Sequence, residues 1–543
     1  MIDKKKELKL RLKEALGVLS KSSKYSVSTL KTEQIVDDLQ SLKDYLYIPP
    51  QIQYDFEKAL DDAVEQSLGG NIICLCGSSG DGKSEILTKL YKKFSGFIDF
   101  HLDATHSSQQ HRSAIDCLDE RFDEFKENSK SLAIGINVGM LQKFIKQGAE
   151  RHDDIKSSFE AYFTNRHMKG YRHKNVSFYD FECYPRLSFS EQTVTSSFIS
   201  DFLKKLTEPS IENPFYEYYL LEEKTDSKVA RNFEVLSLLH FQNKLIELFC
   251  LARLLEEQFL IPRIFVDFIF QIVTKEHEDG IIGNVFSDLD NEFSQCFRRV
   301  DPINYRSAEL DCFYLEYATN TLSENMAYDI SQLNTVTGCS LSPQGLVRGA
   351  YLLNGHNLKS TLPNFYKDSY LQIALKHYLR LVSVYEAVEL SVRDEDDCLN
   401  IIEDLILKSL LEYANRQLPV QVDGYIVSRK LNEYSVCNKI NIQADIEWIK
   451  RHQLISNDII PIPLIINNEP VYTFNLDLKT LVQAVYISNG FRPNMQNIEA
   501  IAKFEELLAH IVDRTLESES LKLVSRDKTV SINKNRQRFT VEV

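Results

Sequence analysis

The sequence predicts an α/β fold, a parallel doubly wound sheet with helices on both faces. Three observations predict it. Short apolar runs of strand type recur at 71–76 (NIICLC), 97–103 (FIDFHLD), 132–137 (LAIGIN) and 176–182 (VSFYDFE). Between them the period changes to that of a helix, at 85–94 and at Ile115, Leu118, Phe122 and Phe125. Strands that alternate with helices imply crossover connections and hence a parallel sheet. The chain, 543 residues long, is also large enough to bury its core without disulfide or metal staples.

In chain order, residues 1–70 read as an N-terminal helical segment. Leu8, Leu12 and Leu16 repeat at helical spacing, a break falls near Tyr45 to Pro50, and Gly69-Gly70 ends the pattern. Residues 71–192 form the α/β core. Residues 193–300 and 301–418 are mainly helical. Residues 419–543 are a β-rich α+β region, with strands at 420–428, 437–443, 460–465 and 470–475, a helix near 496–513, and a hairpin-like tail from Leu521. That tail carries Arg526, Lys528, Lys534, Arg536 and Arg538. No internal repeat is present.

Composition excludes several classes. Apolar residues make up 43% and aromatics 11%, so the chain is not mainly disordered. The net charge is −15, which excludes coating of a nucleic acid by the whole surface and confines any such contact to a local basic patch. Ten scattered cysteines read as core thiols of a reducing compartment, and no Cys/His set has zinc-finger spacing. Cys74 and Cys76 share one face of a strand. The N-terminus lacks an apolar signal region, and the best membrane candidate, 260–273, is short and interrupted by Pro262, Arg263 and Asp267. These features predict a cytoplasmic protein.

The informative stretch is Gly77-Ser78-Ser79-Gly80-Asp81-Gly82-Lys83-Ser84, which fits G-x-x-x-x-G-K-[ST] between a strand and a helix. Glycines let successive N–H groups turn inward onto phosphate oxygens. Lys83 is expected to reach the β- and γ-phosphates, Ser84 to ligate Mg²⁺, and the following helix, with Glu85 in its first turn, to add its dipole. The core is therefore expected to be a P-loop NTPase of AAA+-like kind with a helical lid at 193–300. No N-K-x-D guanine-reading tetrapeptide is present, so ATP is the expected nucleotide.

Hydrolysis needs a further acid. Asp103 ends a strand-like run and reads either as that acid or as a turn cap. Asp119-Glu120 has the right dipeptide, but its surroundings follow helical spacing. Asn137 closes LAIGIN, as a γ-phosphate sensor or as a helix cap. Arg263 opens a helix where a lid could present a second phosphate-contacting arginine, or where a surface arginine could sit. The segment Asn165 to Asn175 (NRHMKGYRHKN) gathers Arg166, His167, Lys169, Tyr171, Arg172, His173 and Lys174. It reads as a DNA-phosphate patch, an arginine finger or a solvated loop. The E-x-K of Glu124 to Lys126 lies on a helix and reads as a salt-bridge pattern, not a nuclease. Trp448 is expected in the core.

The phosphate loop from Leu75 to Glu85 resembles that of the DptF family, the DNA phosphorothioation-dependent restriction proteins. Further pieces follow in a similar order: Asp103-Ala104-Thr105, LDERFDEF (118–125), IGIN (134–137) and PRIFVDFI (262–269). The resemblance implies an ATP-binding subunit of a bacterial defence complex. There it would act with DptG-like and DptH-like subunits on DNA that lacks the sulfur mark. Only residues Gly77 to Glu85 carry over. A scaffold that binds ATP without turnover and a STAND-type signalling ATPase are the rival expectations.

Overall fold

The computed structural model describes the chain except residues 1–10, 22–32, 66–69, 103–112, 129, 191–192, 224, 226, 355–357, 360–364, 367–368, 421, 453, 455–457, 493–497, 517, 536–537 and 543; side chains at 33–38, 498–500 and 535 are likewise outside the description. Asp103, Ala104, Thr105 and Arg536 therefore lie outside the described residues.

The chain is mixed α/β. Three short helices precede the sheet: α1 (Leu12–Leu16), α2 (Glu33–Leu46) and α3 (Gln51–Glu65). The first sheet contains β1 (Ile72–Cys76), β2 (Ile98–His101), β3 (Ser131–Ile136), β4 (Tyr171–His173) and β5 (Val176–Asp180) in the order β2-β3-β1-β5-β4. All pairs are parallel except β4 with β5. The antiparallel β4 falls inside the basic segment 165–175, where alternation is too short to announce a strand.

All five residues of β1 are buried, so both faces of the sheet need a helical layer. On one face, Ile73 and Leu75 pack with Ile52, Phe56 and Leu60 of α3 and with Ile86, Leu87 and Leu90 of α4 (Lys83–Phe94). On the other, Ile72, Cys74 and Cys76 meet three helices: α5 (Ala114–Glu127), α6 (Val138–Gln147) and α7 (Asp153–Thr164). The centre of that layer is aromatic. Phe178 stacks on Tyr162 at 4.5 Å and meets Phe159 edge-on at 5.8 Å.

Past β5, a two-stranded hairpin of β6 (Ser188–Phe189) and β7 (Val194–Thr195) leads into helices α8 (Ser197–Thr207), α9 (Pro214–Glu223), α10 (Lys228–Ser237), α11 (Leu239–Glu256) and α12 (Pro262–Thr274). Helices continue to Ala414. One apolar core runs from Leu12 of α1 through these helices to Ile511, so the N-terminal helices α1 and α2 are built into the helical body. The Leu12 N–H donates to Glu222 at 2.7 Å, and the Lys21 N–H donates to buried Asp267 at 2.7 Å. Leu260 to Val273 forms α12 and the turn before it. No single helix among the described residues is long and apolar enough to cross a membrane.

The C-terminal region holds two antiparallel sheets. One pairs β10 (Ile442–Ala444), β11 (Ile460–Ile466) and β12 (Tyr472–Leu476). The other has the order β15-β14-β13-β9-β8, from β8 (Tyr425–Leu431), β9 (Tyr434–Lys439), β13 (Ser520–Val524), β14 (Thr529–Asn535) and β15 (Arg538–Glu542). Trp448 sits in a short helix, Ile446–Arg451, stacked on His452 and only partly buried. All ten cysteines are free thiols.

Two outcomes test this layering. Phe178→Ala removes the ring at the centre of the second layer, and its unfolding free energy should fall by about 3–5 kcal/mol in urea titration; a loss below about 1 kcal/mol would contradict the packing. His152 is fully buried, and burial holds its pKa below the ordinary value despite Asp123 Oδ1 at 3.3 Å. The unfolded chain, titrating near 6.5, binds more protons below that pH than the native one. Stability should therefore fall as pH drops below about 6.5, and the drop in melting temperature should shrink in His152→Gln.

Candidate functional site

In an open sheet of this kind, ligands bind beyond the carboxyl ends of the strands where the chain reverses its winding. Here β1 leads outward to β2, the chain returns to β3, and then crosses to β5 on the far side of β1. Register places Cys76 beside Ile136 and Asp180, so the ends of β3, β1 and β5 open on one spot. The segment 77–84 turns there.

The turn has no room for side chains at its tightest points. A Cβ on Gly77 would lie 2.8 Å from both Asp81 Oδ2 and Phe181 Cδ2. Gly80 has φ +89°, and a Cβ there would approach Ile261 Cγ2 to 2.9 Å. Gly82, at φ +100°, is the N-cap of α4 and brings no side-chain cap, which leaves the first N–H groups of that helix open. The Lys83 ammonium lies across the loop and donates to Gly77 O at 3.1 Å and Ser78 O at 2.7 Å. The Ser78 N–H donates to Asp81 Oδ2 at 2.5 Å. Burial raises the Asp81 pKa, with Arg186 opposing. Ser79 and Ser84 are exposed, and Glu85 pairs with Lys43 at 3.4 Å and Lys89 at 3.8 Å.

The loop borders a cleft of about 1010 Å³. One wall is the N-terminal segment, with Val18, Leu46, Ile48 and Pro49. The facing wall comes from α8 and α12, with Phe198, Phe202 and Val266. Lys205 of α8 fixes the first wall by donating to Tyr45 O at 3.0 Å and Tyr47 O at 2.9 Å. Asn137 and Arg263 both line the cleft. Asn137 Oδ1 accepts from the Met140 N–H at 2.7 Å, so its oxygen caps α6. Arg263 is exposed, and its Nη2 lies 3.5 Å from Lys21 O.

Arg186, which the sequence did not mark, ties this site together. It donates to Leu260 O at 2.8 Å and to Asp81 O at 3.2 Å, and its guanidinium lies over the rings of Phe181 and Phe198. It therefore links the 77–84 loop to the turn that starts α12. Burial lowers its pKa, with Asp81 opposing.

The remaining candidates are structural in this arrangement. Asp119 accepts from the Ala149 N–H at 2.9 Å on α5, and Glu120 is exposed on the same helix. In the basic segment, Arg166 is committed to buried Asp180 at 2.7 Å and to Glu182 at 2.6 Å. Tyr162 OH also donates to Asp180. Arg172 donates to Asn71 Oδ1, Lys174 to Ser157 Oγ, His173 Nδ1 meets Ser158 Oγ at 3.1 Å, and Lys169 lies over the Tyr184 ring. Among the described residues, Asp180 is the one carboxylate that closes a strand of the sheet.

The chain matches no family model, no curated protein and no solved structure. The site is thus read on its own geometry. Asp180→Ala leaves the Arg166 guanidinium and the Tyr162 hydroxyl without their shared acceptor, and should destabilise the fold by about 3–5 kcal/mol. Arg172→Ala, on the exposed side of β4, should stay within about 0.5 kcal/mol of the parent. Equal losses in the two variants would refute the division between anchoring and surface cations.

Proposed function

We propose that this chain binds ATP with Mg²⁺ in the cleft beyond β1. The observation that carries the proposal is the seating of the Lys83 ammonium across a tight glycine loop, next to the uncapped N-terminus of α4. A phosphate chain supplies the acceptors that these donors take. Lys83 would exchange its two carbonyl partners for phosphate oxygens, the open N–H groups of α4 would hold the terminal phosphates, and the Ser84 hydroxyl would hold the metal. Mg²⁺ would neutralise charge on the phosphates. The apolar part of the lining, with Val18, Ile48, Pro49 and Phe198, suits a flat base.

We further propose that the ATP site serves a phosphorothioation-dependent DNA restriction complex, as an ATP-hydrolysing subunit beside DptG-like and DptH-like partners. The resemblance of the segments at 75–85, 118–125, 134–137 and 262–269 to the DptF family supports this role. A second reading, a nucleotide-gated scaffold with little turnover, is favoured by one observation: Asp180 is consumed by Arg166 and Tyr162, and the Asn137 oxygen by the cap of α6.

Thermal shift with ATP and Mg²⁺ tests the binding claim. At 100 times Kd, ligand linkage adds about 2.7 kcal/mol to the folded state. The parent chain should rise in melting temperature, and Lys83→Ala should not. A parent chain that ignores ATP would sink the proposal. ATP turnover in the presence of DNA, absent in Lys83→Ala, separates the hydrolysing subunit from the scaffold.

A further inference from the structure

The C-terminal sheet is rich in cations where the chain as a whole is acidic. Among the described residues of its two stretches, 425–439 and 520–542, eight Lys and Arg stand against three Asp and Glu, in a chain of net charge −15. The eight are Arg429, Lys430, Lys439, Lys522, Arg526, Lys528, Lys534 and Arg538, and all but Lys522 are exposed. None forms an ion pair among the described residues, whereas several cations elsewhere do, as Lys93 does with Glu57 and Asp61 and Arg151 with Asp123.

Register gathers these cations at the two ends of the sheet. Lys430 lies opposite Ser435, and Ser435 opposite Val524, which runs into the turn bearing Arg526 and Lys528. At the other end lie Lys439, Lys534 and Arg538, with Lys534 on one face of the sheet and Lys439 and Arg538 on the other. Five strands at about 4.8 Å spacing make a surface about 19 Å wide. Following the cross-strand pairs, Arg429, Tyr434, Val436, Leu523, Val530, Ile532, Lys534 and Phe539 occupy one face. On it Phe539 is 69% and Tyr434 38% exposed.

We infer that this face binds single-stranded DNA, with Arg429 and Lys534 on phosphates and Phe539 and Tyr434 stacked on bases. Unpaired cations around exposed aromatic rings on an open sheet are the combination that holds a strand whose bases are free to stack. The choice of DNA over RNA rests on the restriction role proposed above; the polyanion surface does not.

Fluorescence anisotropy of the full chain with a labelled 20-nucleotide oligothymidylate tests the inference across 50–200 mM salt. Affinity should fall with salt, at a log–log slope of about −0.7 per phosphate contacted. The pair Arg429→Glu with Lys534→Glu should weaken binding at least tenfold, and Phe539→Ala should weaken it with an unchanged salt slope. Lys83→Ala should bind as the parent does, which keeps this surface separable from the ATP site. Circular dichroism of each variant establishes that it is folded. No binding by the parent, or equal binding by the folded charge-reversed variant, would overturn the inference. Tighter binding of duplex DNA, or of the matching RNA, would replace it with a backbone or an RNA surface. Salt-independent binding would also overturn it.

Discussion

The turn from β1 into α4 is the constraint on which the remaining architecture depends. A fully buried strand must be covered on both faces, and it ends where its backbone turns with no side chain to fill the space. At Gly77 the obstacle is Phe181, which follows β5; at Gly80 it is Ile261, which precedes α12. The loop is therefore shaped by two other parts of the chain, one at the end of a neighbouring strand and one in the helical body. A larger residue at either glycine would have to displace packed groups, and dense interiors give way by discrete shifts.

Arg186 extends this dependence from sterics to hydrogen bonding. Its two carbonyl partners, Asp81 O and Leu260 O, belong to the loop and to the turn before α12, and its rings come from the end of β5 and from α8. A motion of the loop of a few tenths of an ångström lengthens one of those bonds or drags α12 with it. The opposite wall of the cleft is tied through Lys205 to α8, and Lys21 is tied to Asp267 of α12. A ligand in the cleft would thus touch three elements already connected to one another. That is the arrangement by which occupancy biases the position of a helical body.

Much of this was legible in the sequence, for identifiable reasons. The parallel strands and the glycine turn at 77–84 declare themselves locally, since apolar runs and a glycine pattern are properties of consecutive residues. Asn137 was legible as a strand end, and the competition between sensor and cap turns on one hydrogen bond to Met140. What escaped is what depends on distant partners. Arg186 stands in a plain stretch, Tyr184-Pro185-Arg186-Leu187, and acquires its role only when Asp81 and Leu260 arrive beside it. The basic segment 165–175 misled in the other direction: its charge density is real, but Asp180 and Glu182 consume Arg166, and β4 ties the following residues to the sheet edge. Asp180 itself sits in the apolar run VSFYDFE, where only the fold reveals an Arg and a Tyr converging on it.

The cations of this chain fall into two regimes, and the contrast has a physical basis. Arg166, Arg348 and Arg380 are each held by carboxylates at 2.6–2.7 Å, with their guanidinium groups partly withdrawn from water. Their loss leaves an uncompensated acid, so they act as fasteners. The cations of the C-terminal sheet form no ion pair among the described residues, though Lys522 lies over the Tyr425 ring. Two such charges 10 Å apart in water repel by about 0.4 kcal/mol, and several neighbours add up. Carboxylates are abundant in a chain with 78 of them, and one opposite each cation would remove the repulsion. An anionic partner would offset that cost. The displaced counterions then make that offset largest at low salt.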